Sequence, residues 1–184
     1  MKILAFGASN SKSSINKTLA HFTATLIHHA DVEVLDLNDY ALPIYSEDIE
    51  KDIGQPEAAK RFFEKIGAAD GVIVSFAEHN GTYSAAYKNL FDWASRIDQK
   101  VFQNKPTLYL ATSPGPGGAA SVLAAAKGSA RFFGVDLRAA VSVGSFYDVF
   151  DANSGRITDP TVLSELTSAA EALVLDDSVE RVAS

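Results

Sequence analysis

The sequence predicts a doubly wound α/β sandwich on a five-stranded parallel sheet in the order 2-1-3-4-5, and three observations lead there. Short apolar runs suited to strands alternate five times with longer amphipathic stretches suited to helices. The first run passes directly into a hydroxyl-rich loop and a helix, the opening unit of such a sheet. The 184 residues, 47% hydrophobic and 21% charged, suffice for one domain with a substantial core, and a single domain over residues 1–184 is expected.

The elements follow in order. Ile3–Phe6 is the first apolar run, and Gly7 is expected to free the backbone for a turn. A helix is predicted over Ile15–His29, a second strand over Val32–Leu37, a loop over Ala41–Asp48 and a helix over Gln55–Ala68. Gly71–Phe76 is a continuous apolar run that suits a strand buried on both faces. Ser84–Ile97 reads as a helix with Tyr87, Leu90, Phe91 and Ala94 on one side. Strand four at Thr107–Ala111, a Gly/Pro loop at Ser113–Gly118, a helix at Ala119–Phe133, strand five at Val135–Val143 and a final helix at Pro160–Leu175 complete the pattern. Asp176–Ser184 is polar and expected to fray.

Composition excludes several classes. A net charge of −7 repels nucleic acid and anionic membranes, so neither is an expected partner. Without cysteine there is no disulfide, thiolate metal site or cysteine nucleophile, and redox chemistry requires a cofactor. No stretch reaches the roughly 18 apolar residues of a membrane span, and the N-terminus lacks a basic segment before a long apolar run, so a cytoplasmic location is expected. No metal-ligand spacing and no G-x-S-x-G elbow occurs.

The predicted strand order puts its switch point between strands one and three, where a crevice opens at the carboxyl ends of the strands. The loops to watch are therefore Ser9–Ser14, Ala77–Ser84 and Ser113–Gly118. At the first, helix N–H groups and the hydrogen-bonding side chains of Ser9, Ser11, Ser13, Ser14 and Asn16 suit a phosphate monoester, with simple helix capping by Ser13 or Ser14 the competing role. Neither G-x-x-x-x-G-K-[ST] nor G-x-G-x-x-G follows the first strand. In the second loop, His79 and the Asn80–Gly81 turn offer an edge and a face to a flat heterocycle, against the alternative of an ordinary turn with a surface histidine. The third, Ser113–Gly118, offers close backbone approach stiffened by Pro114 and Pro116.

Together these loops resemble the NADPH-dependent FMN reductase family, which includes flavin, quinone, azo-dye and chromate reductases of flavodoxin-like fold. GASNSKSSINKTLA is similar to its G-S-x-R-x-x-S-x-N-x-x-L-A loop, and LPIYSED at Leu42–Asp48 to its L-P-x-Y-x-x-D segment. AEHNGTYSAAYKNLFDWAS at Ala77–Ser95 is similar to P-E-Y-N-x-S-x-P-x-x-L-K-N-x-x-D-W-x-S, with Glu78, Asn80, Lys88, Asn89, Asp92, Trp93 and Ser95 in matching order. The resemblance implies a flavodoxin-like three-layer sandwich with FMN as cofactor and NADPH or NADH as hydride donor. It implies a small acceptor such as a quinone, free flavin, azo compound or metal oxyanion. Ser9, Ser14, Ile15 and Asn16, with Ser11 beside them, would surround the FMN phosphate. Glu78, His79, Asn80 and Gly81 would border the isoalloxazine, and Ser113, Gly115 and Gly117 its pyrimidine side.

No catalytic side chain is implied, because the flavin carries the chemistry. The chain departs from the family pattern in a first loop one residue longer, with Asn10 and Lys12 near the usual arginine, in His79 for tyrosine and in Ala77 for proline. A one-electron flavodoxin-like carrier and a cofactor-free scaffold of the same fold are the competing functions. Tyr87, Leu90, Phe91 and Trp93 put more apolar bulk on one helix than sheet packing needs, which predicts a homodimer or homotetramer.

Overall fold

In the computed structural model, which describes residues 1–175, five parallel strands form the central sheet. They are β1 (Lys2–Ala8), β2 (Asp31–Leu35), β3 (Gly71–Phe76), β4 (Lys105–Thr112) and β5 (Val135–Val143), in the order β2-β1-β3-β4-β5. The expectation for Asp176–Ser184 lies outside the described residues. Ile3 stands opposite Val32 on one side and Gly71 on the other, and Val72 opposite Thr107.

Alternation along β1 divides two cores. Leu4, Phe6 and Ala8 face the layer made by α3 (Glu57–Ala68), α4 (Ala85–Ser95) and α5 (Ala120–Ser129), where they meet Phe62, Tyr87 and Val122. Ile3 and Ala5 face α1 (Ile15–Thr25) and α7 (Pro160–Val174), among Leu19, Leu108 and Leu166. A strand covered on both faces has no polar side, and this is why GVIVSF reads as an unbroken apolar run.

The helix boundaries depart from the sequence reading for local reasons. α1 ends at Thr25 rather than His29, because the N–H groups of Leu26 and Ile27 bond three residues back to Thr23 and Ala24, and His29 takes a φ of 61° into β2. β2 stops at Leu35 since the Asp36 carboxylate accepts from the Asn38 N–H and starts a 3₁₀ turn, Leu37–Tyr40. The segment expected as a loop runs into α2 (Glu47–Ile53), capped by the Ser46 hydroxyl accepting from the Ile49 N–H. No residue of α2 is buried, so it carries no apolar stripe for periodicity to detect. The helix predicted to Phe133 is α-helical only to Ser129 and finishes as a 3₁₀ turn, Ala130–Phe133. Between β5 and α7 lie a one-turn α6 (Phe146–Val149) and a small hairpin pairing Phe150–Asp151 with Arg156–Ile157, neither of which was expected.

Two sequence readings need correction. Gly7 lies inside β1 and makes no turn; a Cβ there would sit 2.4 Å from the Lys17 backbone nitrogen, so glycine serves to let α1 lie against the strand. The bulk on α4 is not surplus either. Tyr87, Leu90 and Trp93 are buried within the chain, the Trp93 indole N–H donates to the Pro43 carbonyl at 2.8 Å, and its ring meets Tyr45 edge-on. Phe91 is half-buried, with its ring 4.7 Å from that of Phe133. The oligomer expectation therefore loses the observation on which it rested. Among the described residues no helix is long and apolar enough to cross a membrane, and no cluster of acidic and histidine side chains is arranged for a metal.

Candidate functional site

The three loops expected to matter leave the sheet side by side at Ala8, Phe76 and Thr112, and enclose a cleft of about 280 Å³. Its walls are Ser9, Ser11, Ser13, Ser14, Ile15 and Asn16 from the first loop, Ala77 to His79 from the second, Thr112 to Pro114 from the third, and Tyr147 from α6.

The first loop spends some of its hydroxyls on itself. Ser9 N–H bonds back to the Gly7 carbonyl, the Ser9 hydroxyl accepts from Ser11 N–H at 3.1 Å, and the Ser14 hydroxyl accepts from Lys17 N–H at 3.1 Å as the cap of α1. The N–H groups of Ile15 and Asn16 precede the first helical bond, from Thr18 to Ser14, and have no acceptor among the described residues. They are donors of the kind that suits an anionic ligand. The Asn16 side chain is not among them. Its carboxamide accepts from the Ser75 hydroxyl at 2.7 Å and from Thr112 N–H at 3.1 Å, and donates to the Thr112 carbonyl at 3.2 Å. The side chain expected at the phosphate instead binds α1 to β3 and β4, and what Asn16 leaves unpartnered is its backbone N–H.

The second loop is a two-residue hairpin, Glu78–His79 against Thr82–Tyr83, closed by Asn80 and Gly81 with φ of 54° and 79°. Consecutive positive φ values explain the Asn-Gly pair. The Glu78 carboxylate accepts from the Val122 N–H at 2.9 Å. Ala119, the residue before α5, has a φ of 56° and no side-chain oxygen, so Glu78 supplies from a distance the cap that α5 lacks. Ser84 closes the other end, donating to the Ala8 carbonyl at 2.7 Å while accepting from Tyr87 N–H. His79 is exposed and lines the cleft, whereas Asn80 and Gly81 form the tip outside it.

In the third loop the Ser113 hydroxyl donates to the Gly115 carbonyl, which also accepts from Ser145 N–H at 2.8 Å, and Phe146 N–H bonds to the Ser113 carbonyl. These bonds hold α6 so that Tyr147 reaches the cleft. Gly115 and Gly117 lie outside its walls, both exposed, and a Cβ at either would meet nothing within 4 Å. Tyr147 escaped the sequence reading because residues 144–159 show neither helical nor strand period. The usable signal was the pair Phe146–Tyr147 immediately beyond the carboxyl end of strand five, the same sheet edge as the other loops.

Among the described residues no lysine or arginine lines the cleft. Lys12, between Ser11 and Ser13, is exposed, and Lys17 is held by Asp36 at 2.6 Å; that lysine together with the Asn38 N–H lowers the Asp36 carboxyl to about 2. What the cleft walls offer an anion is N–H dipoles and hydroxyls.

The family model for NADPH-dependent FMN reductase matches residues 1–148, a span that contains all three loops and Tyr147. An NAD(P)H-dependent FMN reductase of Pseudomonas aeruginosa is 29% identical over 178 residues, 95% of this chain and 94% of its own length. A 2-hydroxy-1,4-benzoquinone reductase of Burkholderia is 31% identical over 165 residues, 88% of each chain. Among solved structures, FerB, a flavoenzyme NAD(P)H:(acceptor) oxidoreductase of Paracoccus denitrificans, superposes with a TM-score of 0.78 at 27% identity, covering 98% of this chain and 97% of its own. With the strand order, the cleft and the matched span in agreement, the chain belongs to the NADPH-dependent FMN reductase family.

Proposed function

We propose that the protein works as one flavin-binding domain that passes a hydride from NADPH or NADH through FMN held in this cleft to a quinone-type acceptor. The observation that carries the reading is the pair of unpartnered N–H groups of Ile15 and Asn16 at the start of α1, surrounded by four serines. That donor set suits a phosphate monoester, and the cleft beyond it has one wall in the hairpin and one in the third loop, as a flat ring requires. When bound, FMN supplies the hydride acceptance and donation that a chain without cysteine lacks.

The chain's own groups would hold and orient. Ser9, Ser11, Ser14 and the Ile15 and Asn16 N–H groups would take the phosphate, and Glu78, His79, Asn80 and Gly81 one side of the ring. Ser113, Gly115 and Gly117 would take the other, with Tyr147 beside them. The structure demands no glycine at 115 or 117 for its own packing, which favours close approach of a ligand to that backbone. The open cleft suits small planar acceptors, and the benzoquinone reductase among the relatives favours quinones over free flavins, azo compounds and metal oxyanions. A cytoplasmic homodimer or homotetramer is the proposed working form; the exposed Ile44, beside the Pro43 carbonyl that α4 engages, supports a further contact there.

The test is fluorescence titration of the apoprotein with FMN and with riboflavin. FMN should bind more tightly by about 1.5–3 kcal/mol per charge-assisted bond to its phosphate. Equal affinities would remove the phosphate assignment. Bleaching of the yellow holoprotein by NADPH, followed by reoxidation with a benzoquinone, tests the turnover.

A further inference from the structure

Behind the hairpin lies a second cavity of about 130 Å³ that shares no wall residue with the cleft. It is lined by aromatic rings, chief among them Phe76, Tyr83, Tyr87, Phe91, Tyr109 and Phe133. Phe76 is the hub, its ring 5.0 Å from Tyr109 and 5.6 Å from both Tyr83 and Tyr87. A cavity of about 150 Å³ with apolar walls accommodates benzene, so one six-membered ring is the size class that fits.

Its polar content is specific. Tyr87 is 4% exposed and Tyr109 3%, yet neither hydroxyl makes a hydrogen bond to any described residue. A tyrosine hydroxyl without a protein partner keeps its O–H free to donate to whatever enters the cavity. Burial pushes both phenols well up, so they stay protonated donors throughout the physiological range. The ion pair Lys88–Asp92 and the part-exposed Ser95 and Ser129 mark the mouth.

We propose that this cavity binds a single uncharged aromatic ring bearing a hydroxyl, a simple phenol, whose oxygen accepts from Tyr87 or Tyr109 while its ring packs among the aromatic walls. The hairpin is the partition between the two sites. Phe76 precedes Ala77 of the cleft, and Tyr83 pairs directly across from Glu78, so a ring behind Tyr83 buttresses the strand that carries Glu78 and His79. The binding site itself does not depend on the flavin reading.

Amide NMR of the protein in saturating FMN, titrated with phenol, tests this. Saturable shifts centred on Phe76, Tyr83, Tyr87 and Ser129 and extending to Glu78 and His79 are expected. Ser129→Phe, which fills the mouth, should weaken phenol at least about tenfold and leave FMN affinity unchanged. Tyr109→Phe should lower phenol binding toward that of toluene. The absence of saturable shifts overturns the proposal. So do shifts confined to Ser9–Ile15 that Ser129→Phe does not alter, which put phenol in the cleft, and so does loss of phenol binding as dimer forms, which makes a second copy the occupant. The wild-type shift map decides the matter even where a variant fails to fold.

Discussion

The two walls of the cleft are built on opposite plans. The first-loop side is made of backbone: Gly7 admits α1, Asn16 binds it to two strands, and the groups left without a partner among the described residues are main-chain N–H groups. The hairpin side is made of side chains on an exposed tip, held at one end by Glu78 on Val122 and at the other by Ser84 on Ala8. One wall is inseparable from the fold, and the other can change without disturbing it. Two departures from the family pattern, His79 and Ala77, lie in the second loop, and the others, the extra residue with Asn10 and Lys12, lie on an exposed stretch of the first loop apart from the backbone that seats α1.

Substitutions can break this contrast in order of severity. Gly7→Ala should have the largest effect, because the obstructing atoms belong to the Lys17 and Asn16 backbone, 2.4 to 2.9 Å from the added carbon. A loss of about 3 kcal/mol is expected, read as a lowered urea midpoint, together with weaker FMN binding. Unchanged stability would show that α1 moves freely on the sheet. Asn16→Ala comes next: it leaves the Ser75 hydroxyl and the Thr112 N–H and carbonyl without their partner in a buried place. About 2–3 kcal/mol should be lost from the same midpoint. Ser14→Ala, by contrast, removes a cap and should cost about 1 kcal/mol.

On the hairpin side, Glu78→Ala should cost about 1 kcal/mol through the uncapped α5. His79→Tyr should leave the urea midpoint and FMN affinity unchanged while altering the rate at which NADPH bleaches the flavin in stopped flow. Identical bleaching rates would separate His79 from the ring. The smallest effect concerns Asp36. Its carboxyl sits below the unfolded value, so the pair with Lys17 stabilises above about pH 4 and loses its contribution as pH falls toward about 2. Both side chains are about one-third exposed, and solvent screening limits the contribution to less than about 1 kcal/mol. Lys17→Met should flatten the acid limb of stability by that amount.

How much was legible follows from how local each signal is. β3 reads directly from GVIVSF because burial on both faces writes itself into every residue, and the hairpin turn reads from Asn80–Gly81 because two positive φ values demand that pair. The failures involve distant partners. Gly7 looked like a turn residue because glycine's meaning in a sequence is conformational, whereas here the neighbour it accommodates is the helix backbone at Lys17. Asn16 looked like a ligand contact because its partners, Ser75 and Thr112, lie 59 and 96 positions away. Trp93 looked surplus because Pro43 and Tyr45, which cover it, lie far back along the chain.

That no lysine or arginine among the described residues lines the cleft bears on the cofactor's response to salt. A phosphate held by an ion pair loosens as ionic strength rises, whereas one taken by the N–H groups and hydroxyls of the first loop would meet dipoles at contact and repulsion from the whole protein, at −7. Salt shortens that repulsion to about 10 Å at 0.1 M and leaves contacts at hydrogen-bond distance nearly untouched. Raising sodium chloride from 10 to about 200 mM should therefore tighten FMN, reversing the trend of a lysine-anchored flavoprotein.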